Sequence, residues 1–158
     1  LLYISNKEDA VKYRHDMLTH GVNVVCAAHE GRRGGLAVAW ATQVGVDHIL
    51  ICVGAQSATR ELILASGAFG LSVLARDQVE TARAFGRQSS RRVDKLEAIA
   101  YHTAETGSPL LDDCAIALDC RVIIVHDFGR EKLIVGQVVA AEKRREDYEP
   151  LIYREGDY

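Results

Sequence analysis

The sequence predicts a mainly β fold with short helices, closed into a barrel and forming one domain over residues 1–158. Three observations carry this. Two strand-like runs, about Ala115 to His126 and Leu133 to Ala141, exceed the usual strand length of roughly 5–6 residues, which suits a closed or strongly coiled antiparallel sheet. Four more β-branched or alternating runs lie between Val22 and Leu74. Each helical segment is short and bracketed by a cap and a glycine.

Taken in order, Ser5-Asn6-Lys7-Glu8 has capping-box spacing and starts a helix to about Leu18, with Gly21 after it. Val22 to His29 is a β-branched run and reads as a strand. Glu30 to Gly34 makes a polar turn, from which a second strand returns over Arg33 to Val44 as the other arm of a hairpin. Asp47-His48 breaks the pattern before a strand at Ile49 to Val53. Ser57 caps a helix through Ser66, closed by Gly67, and Phe69 to Leu74 is again strand. Asp77-Gln78-Val79-Glu80 repeats the capping-box spacing and predicts a helix to about Phe85, before Gly86. A basic loop, Arg87 to Arg92, follows, with Lys95 just beyond; Thr106 to Pro109 marks a turn. The two long strands are joined at Asp127 to Lys132, and Pro150 to Tyr158 is a tail.

Composition narrows the classes. A charged fraction of 26% and a hydrophobic fraction of 48% are those of an ordinary globular chain. The net charge of −3 gives no bulk attraction to nucleic acid or an anionic membrane. No apolar run approaches the roughly 20 residues that span a bilayer. The chain opens at Leu1 without a methionine, which is compatible with trimming. Cys26, Cys52, Cys114 and Cys120 form no Cys-x-x-Cys pair and sit in apolar runs, so buried free thiols in a reducing cytoplasm are expected. The histidines show no ligand spacing, and no metal site is expected.

Two stretches carry candidate chemistry. Within Arg33 to Val44, alternation puts Ala37, Ala39 and Ala41 on one face and Leu36, Val38, Trp40 and Thr42 on the other. A face reduced to methyl groups admits a flat ring against the backbone; it equally admits a packed helix. At Ser57-Ala58-Thr59-Arg60, two hydroxyls, backbone donors and a guanidinium gather at a helix start, either an anion site or a simple cap with a solvated arginine.

These landmarks resemble the flavin reductase-like family, the FMN-binding split β-barrel. The resemblance spans nearly the whole chain and rests on Gly34-Gly35-Leu36-Ala37-Val38-Ala39-Trp40, Ser57-Ala58-Thr59-Arg60-Glu61-Leu62-Ile63, Ser66-Gly67-Ala68-Phe69, Thr106-Gly107-Ser108-Pro109-Leu110-Leu111, Cys120-Arg121-Val122, His126-Asp127 and Val135-Gly136-Gln137-Val138, in that order. It implies that Val38, Ala39, Trp40, Ala41 and Thr42 hold the isoalloxazine of FMN, and that Ser57 and Thr59, with Gln56 alongside, bind its phosphate. Similarity to the flavoredoxin branch adds Lys95 and Tyr101 as flavin contacts. His126 is a candidate nicotinamide-side or dimer contact, or a structural histidine. No acid–base pair is expected, because a flavin carries its own hydride and one-electron chemistry.

The implied activity is that of an NAD(P)H-dependent flavin reductase in the cytoplasm, a homodimer with its flavin sites near the interface. The alternative is a flavoredoxin-like electron carrier with tightly bound FMN and a redox protein partner. A flavin-free binding barrel is a third reading. Two departures from the family pattern matter. Asp47-His48-Ile49 stands where Asp-Pro-Pro is frequent, and Gly129-Arg130-Glu131 stands where many reductases have Gly-Asp-His, losing the histidine associated with nicotinamide use.

Overall fold

The computed structural model describes residues 18–157. The helix expected from the Ser5 capping box lies outside the described residues, save Leu18 at its end. Nine strands follow: β1 Asn23–His29, β2 Arg32–Val38, β3 Ala41–Gln43, β4 His48–Val53, β5 Ala68–Val73, β6 Tyr101–Thr103, β7 Pro109–Leu111, β8 Ile116–Phe128 and β9 Glu131–Lys143. Two helices interrupt them, α1 over Ala58–Ser66 and α2 over Val79–Gly86.

The β1–β2 hairpin turns on Glu30 and Gly31, at φ 47° and 75°, the paired left-handed residues that match the twist of adjoining strands. Seven strands form one sheet in the order β2-β1-β5-β8-β9-β4-β3, and β6 and β7 pair separately. Each adjacent pair in the large sheet is antiparallel. Strands β2 and β3 lie at opposite ends of that order, yet only Ala39 and Trp40 separate them in sequence. The sheet therefore curls until its two edges meet, and the fold is a split barrel sealed by a covalent step.

That step corrects the single strand expected over Arg33 to Val44. Ala41 N donates to Ala39 O at 3.0 Å, a three-residue turn centred on Trp40, while Trp40 O accepts from Cys52 N at 2.9 Å. The chain leaves β1 and joins β4, so the alternation restarts. Leu36, Val38 and Ala41 all pack on the barrel interior, with Val25, Ile51, Phe69 and Ile134, whereas Ala37 packs on the outer core. Ala41 has thus left the face of Ala37, because the turn consumes one residue of the two-residue period.

The outer core joins Val24, Leu74, Phe85, Leu96 and Leu110 beneath α2 and the β6–β7 pair. The tail is tied into it: Leu151 is buried, its N–H donates to Leu74 O at 3.0 Å, and Tyr153 N donates to His20 O at 2.8 Å. Gly67 closes α1 at φ 69°, as expected. The second capping box does not form. Asp77 pairs with Arg145 at 2.7 Å, and buried Gln78 at the helix start accepts from Ala75 N and donates to Asp113 O. An arginine from a distant segment outcompetes a local backbone bond for that carboxylate. Cys26, Cys114 and Cys120 are buried free thiols, and Cys52 is half-buried.

Candidate functional site

Gly35 on β2 is the hub of the site. A Cβ there would lie 2.6 Å from Phe85 Cε1 and 2.7 Å from Cys26 Sγ, so only glycine lets α2 approach β2 this closely. Its backbone is fully engaged: Gly35 N donates to Ser90 Oγ at 3.2 Å, and Gly35 O accepts from Ser90 Oγ at 2.9 Å and from Lys95 Nζ at 2.9 Å. Lys95 Nζ also donates to Phe85 O at 2.7 Å. The amine is nearly enclosed, at 8% exposure, and burial brings its pKa down to about 8. Burial likewise pushes the neighbouring Cys26 thiol up to about 12, leaving it uncharged.

Two recesses flank this hub and share Leu36 and Ala37. The first, about 330 Å³, lies between the start of α1 and the end of α2; Gln56, Ser57, Thr59 and Lys95 line it, with Phe85 and residues 86–90 opposite. Ser57 Oγ caps the helix by accepting from Arg60 N at 3.3 Å, and Thr59 is buried in the first turn. The second, about 210 Å³, runs along Ala37, Val38, Ala39 and Trp40, with Cys52, Gly54 and Tyr153 as its other walls. Backbone donors, hydroxyls and an amine gather at one end; the indole and small residues lie at the other.

Several expected residues fall elsewhere. Val38 borders the second recess, but its side chain packs in the barrel interior. Ala41 faces that interior too, and Thr42 is exposed one row past Trp40; neither lines a recess. Tyr101 lines a separate cavity of about 880 Å³, its hydroxyl bonded to Arg33. The Arg60 guanidinium turns away to Ala55 O at 2.6 Å and Arg130 O at 3.5 Å, bracing the loop before α1 against the β8–β9 turn.

His126 pairs with Leu133, Leu133 with Cys52, and Cys52 bonds Trp40, so the four form one row across the outer face of the sheet. Three strand spacings put His126 roughly 14 Å from Trp40 within one chain. Glu131 lies two residues from Leu133 on the same face, and its carboxylate, after burial, raises the Cys52 thiol further. Sequence reasoning missed Gly35 and Leu36 as recess walls; it set Ala37 on the methyl face and read Arg87 to Arg92 as a basic loop, solvated or meeting a phosphate or nucleotide. The glycine pair was the available signal, since Gly35 stands inside a strand where a turn does not need it.

The chain is similar to known proteins. Residues 14–158 match the family model described as the flavin reductase like domain. The ferric-chelate reductase (NAD(P)H) of Archaeoglobus fulgidus is 31% identical over 140 residues, covering 86% of this chain and 82% of that protein. FMN reductase (NADH) RutF 2 of Rhizobium rhizogenes is 30% identical over 159 residues, covering 98% and 90%. Among solved structures, an FMN-binding protein from Thermus thermophilus superposes with a TM-score of 0.83 at 25% identity, covering 92% of this chain and 87% of that one.

Proposed function

Because this chain belongs to the flavin reductase-like domain family, we propose that it is an FMN-binding oxidoreductase driven by NADH or NADPH. The observation that carries this reading is the pair of recesses joined at Leu36–Ala37, polar at the α1 end and lined by Trp40 and alanines at the other. The donor set fits FMN. A phosphate finds the Ser57 and Thr59 hydroxyls and the N–H groups of the first α1 turn, where the helix end is positive. Ala37 to Trp40 would hold the ring system. Bound there, FMN supplies hydride acceptance from the nicotinamide and onward electron transfer.

The chain's own groups bind, orient and polarise. Gly35 and Ser90 fix the distance between β2 and the loop opposite, and so the width of the slot. Lys95 holds a positive charge beside β2 below about pH 8 and favours an anion in the recess. Trp40, 41% exposed, covers one wall and leaves an approach from solvent. The flavin-binding unit extends over residues 1–158, and free buried thiols fit a cytoplasmic setting. Among the described residues, no helix is long and apolar enough to cross a membrane.

The outer face of β8, β9, β4 and β3 supports a homodimer. Leu50, Leu133, Val135 and Ile124 lie there next to Trp40, with Ile124 and Phe128 54% and 60% exposed, and beyond Val122 that edge of β8 pairs with no strand among the described residues. A second copy covers this surface. The test of the function is an absorbance spectrum of the purified protein before and after anaerobic NADH or NADPH. Bleaching of the visible flavin band supports the reading; a flavin that stays oxidised with both nucleotides refutes it.

One observation favours a second reading, an electron carrier with retained FMN. Glu131 places a carboxylate beside Cys52, at the wall of the ring recess, which opposes the approach of a polyanionic nucleotide. Slow reduction by NADH with fast reduction by a reduced iron–sulfur protein supports it. Slow reduction by every protein donor tested refutes it.

A further inference from the structure

Arg60, in the first turn of α1, does not line the recess beside it. The helix itself is anchored, with Thr59, Leu62 and Ile63 buried. The loop ahead of it is not: Gly54 and Gln56 are exposed, and Ala55 and Ser57 are half-buried. Ser57 N donates to Gly54 O at 3.3 Å, a bond within the loop. Arg60 ties the loop to a distant element. Its guanidinium donates to Ala55 O at 2.6 Å and, at a long 3.5 Å, to Arg130 O in the β8–β9 turn. Asp127, beside that turn, pairs with Lys132; that hydrogen bond chiefly, and the Arg60 charge to a lesser degree, hold its carboxyl below the usual range.

Among the described residues, Arg60 Nε is the buried side-chain polar atom without a partner. A solvated arginine would turn that N–H to water, whereas this one is pinned by its outer nitrogens between two backbone carbonyls while Nε goes unsatisfied. A local rule broken in this way is expected where a residue shapes a site rather than stabilises the fold. We infer that Arg60 is a positioning residue that couples the β8–β9 turn to the first recess, so that the conformation of the turn sets how tightly the recess holds a phosphate. The inference rests on the FMN reading of that recess. Gln56 and Ser57 line it from the very loop that Arg60 braces. The turn can be disturbed by itself, because Gly129 stands at φ 62°, a conformation that a β-branched side chain resists.

The experiment measures FMN and riboflavin affinities of the wild-type chain, Arg60→Met, Arg60→Lys, Gly129→Val and Arg60→Met/Gly129→Val, with amide hydrogen exchange on the flavin-free chains. Arg60→Met is expected to weaken FMN about tenfold, through the loss of two charge-assisted bonds, and riboflavin, which has no phosphate, by less than about twofold. Arg60→Lys keeps the charge but cannot span both carbonyls, so it is expected to match Arg60→Met; recovery to wild-type affinity would mean plain attraction of the phosphate and overturns the inference. Gly129→Val is expected to weaken FMN in the wild-type background and to add nothing in Arg60→Met; additive losses overturn the coupling. Equal loss of both ligands, or no loss of FMN, does the same. In the flavin-free chain Arg60→Met is expected to speed exchange at Ser57 and in the β8–β9 turn together, and unchanged exchange overturns the brace. Faster exchange in Arg60→Met, where the wild-type chain binds no flavin, keeps the brace and sinks the FMN reading instead.

Discussion

Replacing Gly35 with alanine tests the hub of the site. The added methyl would sit 2.6 Å from Phe85 Cε1 and 2.7 Å from Cys26 Sγ, both on side chains 1% exposed. Carbon contacts settle at roughly 3.5–4.0 Å, so about 1 Å of movement is demanded of a packed ring and a strand neighbour. Such overpacking costs about 1–3 kcal/mol. Alanine recovers about 0.4–1 kcal/mol by restricting the unfolded chain. The net expectation is a loss of about 1–2 kcal/mol, read as a lower urea midpoint with an unchanged slope. Trp40, the only tryptophan, supplies the fluorescence signal. Shifting Phe85 also moves its carbonyl, one of two acceptors for Lys95, so FMN affinity falls with stability. Trimming the ring in Gly35→Ala/Phe85→Leu gives a double variant whose destabilisation is less than the sum of the single changes by about 1 kcal/mol. Stability within about 0.5 kcal/mol of wild type in Gly35→Ala, with FMN affinity intact, would refute the reasoning.

Further outcomes follow from the same geometry. FMN affinity should decline as pH rises through about 8, where Lys95 loses its proton, and the decline should be absent in Lys95→Met. Stability of the flavin-free chain moves the other way: between about 8 and the ordinary 10.5 the unfolded chain binds more protons at Lys95, so stability rises with pH, measurable by urea titration. Thr59→Val should weaken FMN about tenfold while leaving riboflavin, which lacks the phosphate, unaffected by the change; equal effects on both ligands would move the phosphate elsewhere. Ile124→Asp, at an exposed position on the outer sheet face, should convert a dimer to monomer in sedimentation; a monomeric wild type would contradict the dimer.

Legibility in the sequence followed the range of the forces. Ser57 and Gly67 were readable because a cap and a left-handed stop are local, and the long β8–β9 pair because apolar and β-branched residues recur along both of its runs. The break at Trp40 was not, since no glycine or proline marks it; the barrel's closure imposes it when β3 transfers to β4. Asp77 misled because Arg145, far along the chain, claims it. Strands β6 and β7 are three residues each and exist through their mutual pairing. Ser57 and Thr59 line the first recess and Trp40 the second, and Lys95 reaches the first through two carbonyl bonds that no spacing reveals. Tyr101 resembles a ring contact in sequence, but Arg33 draws its hydroxyl into the arginine-lined cavity.

The most direct measurement is a crystal structure of the chain grown with FMN. Ring density along Ala37 to Trp40 and a phosphate within hydrogen-bond reach of Ser57 and Thr59 are expected. Density for the flavin anywhere else, or a slot closed by the protein's own side chains in crystals saturated with FMN, would contradict it.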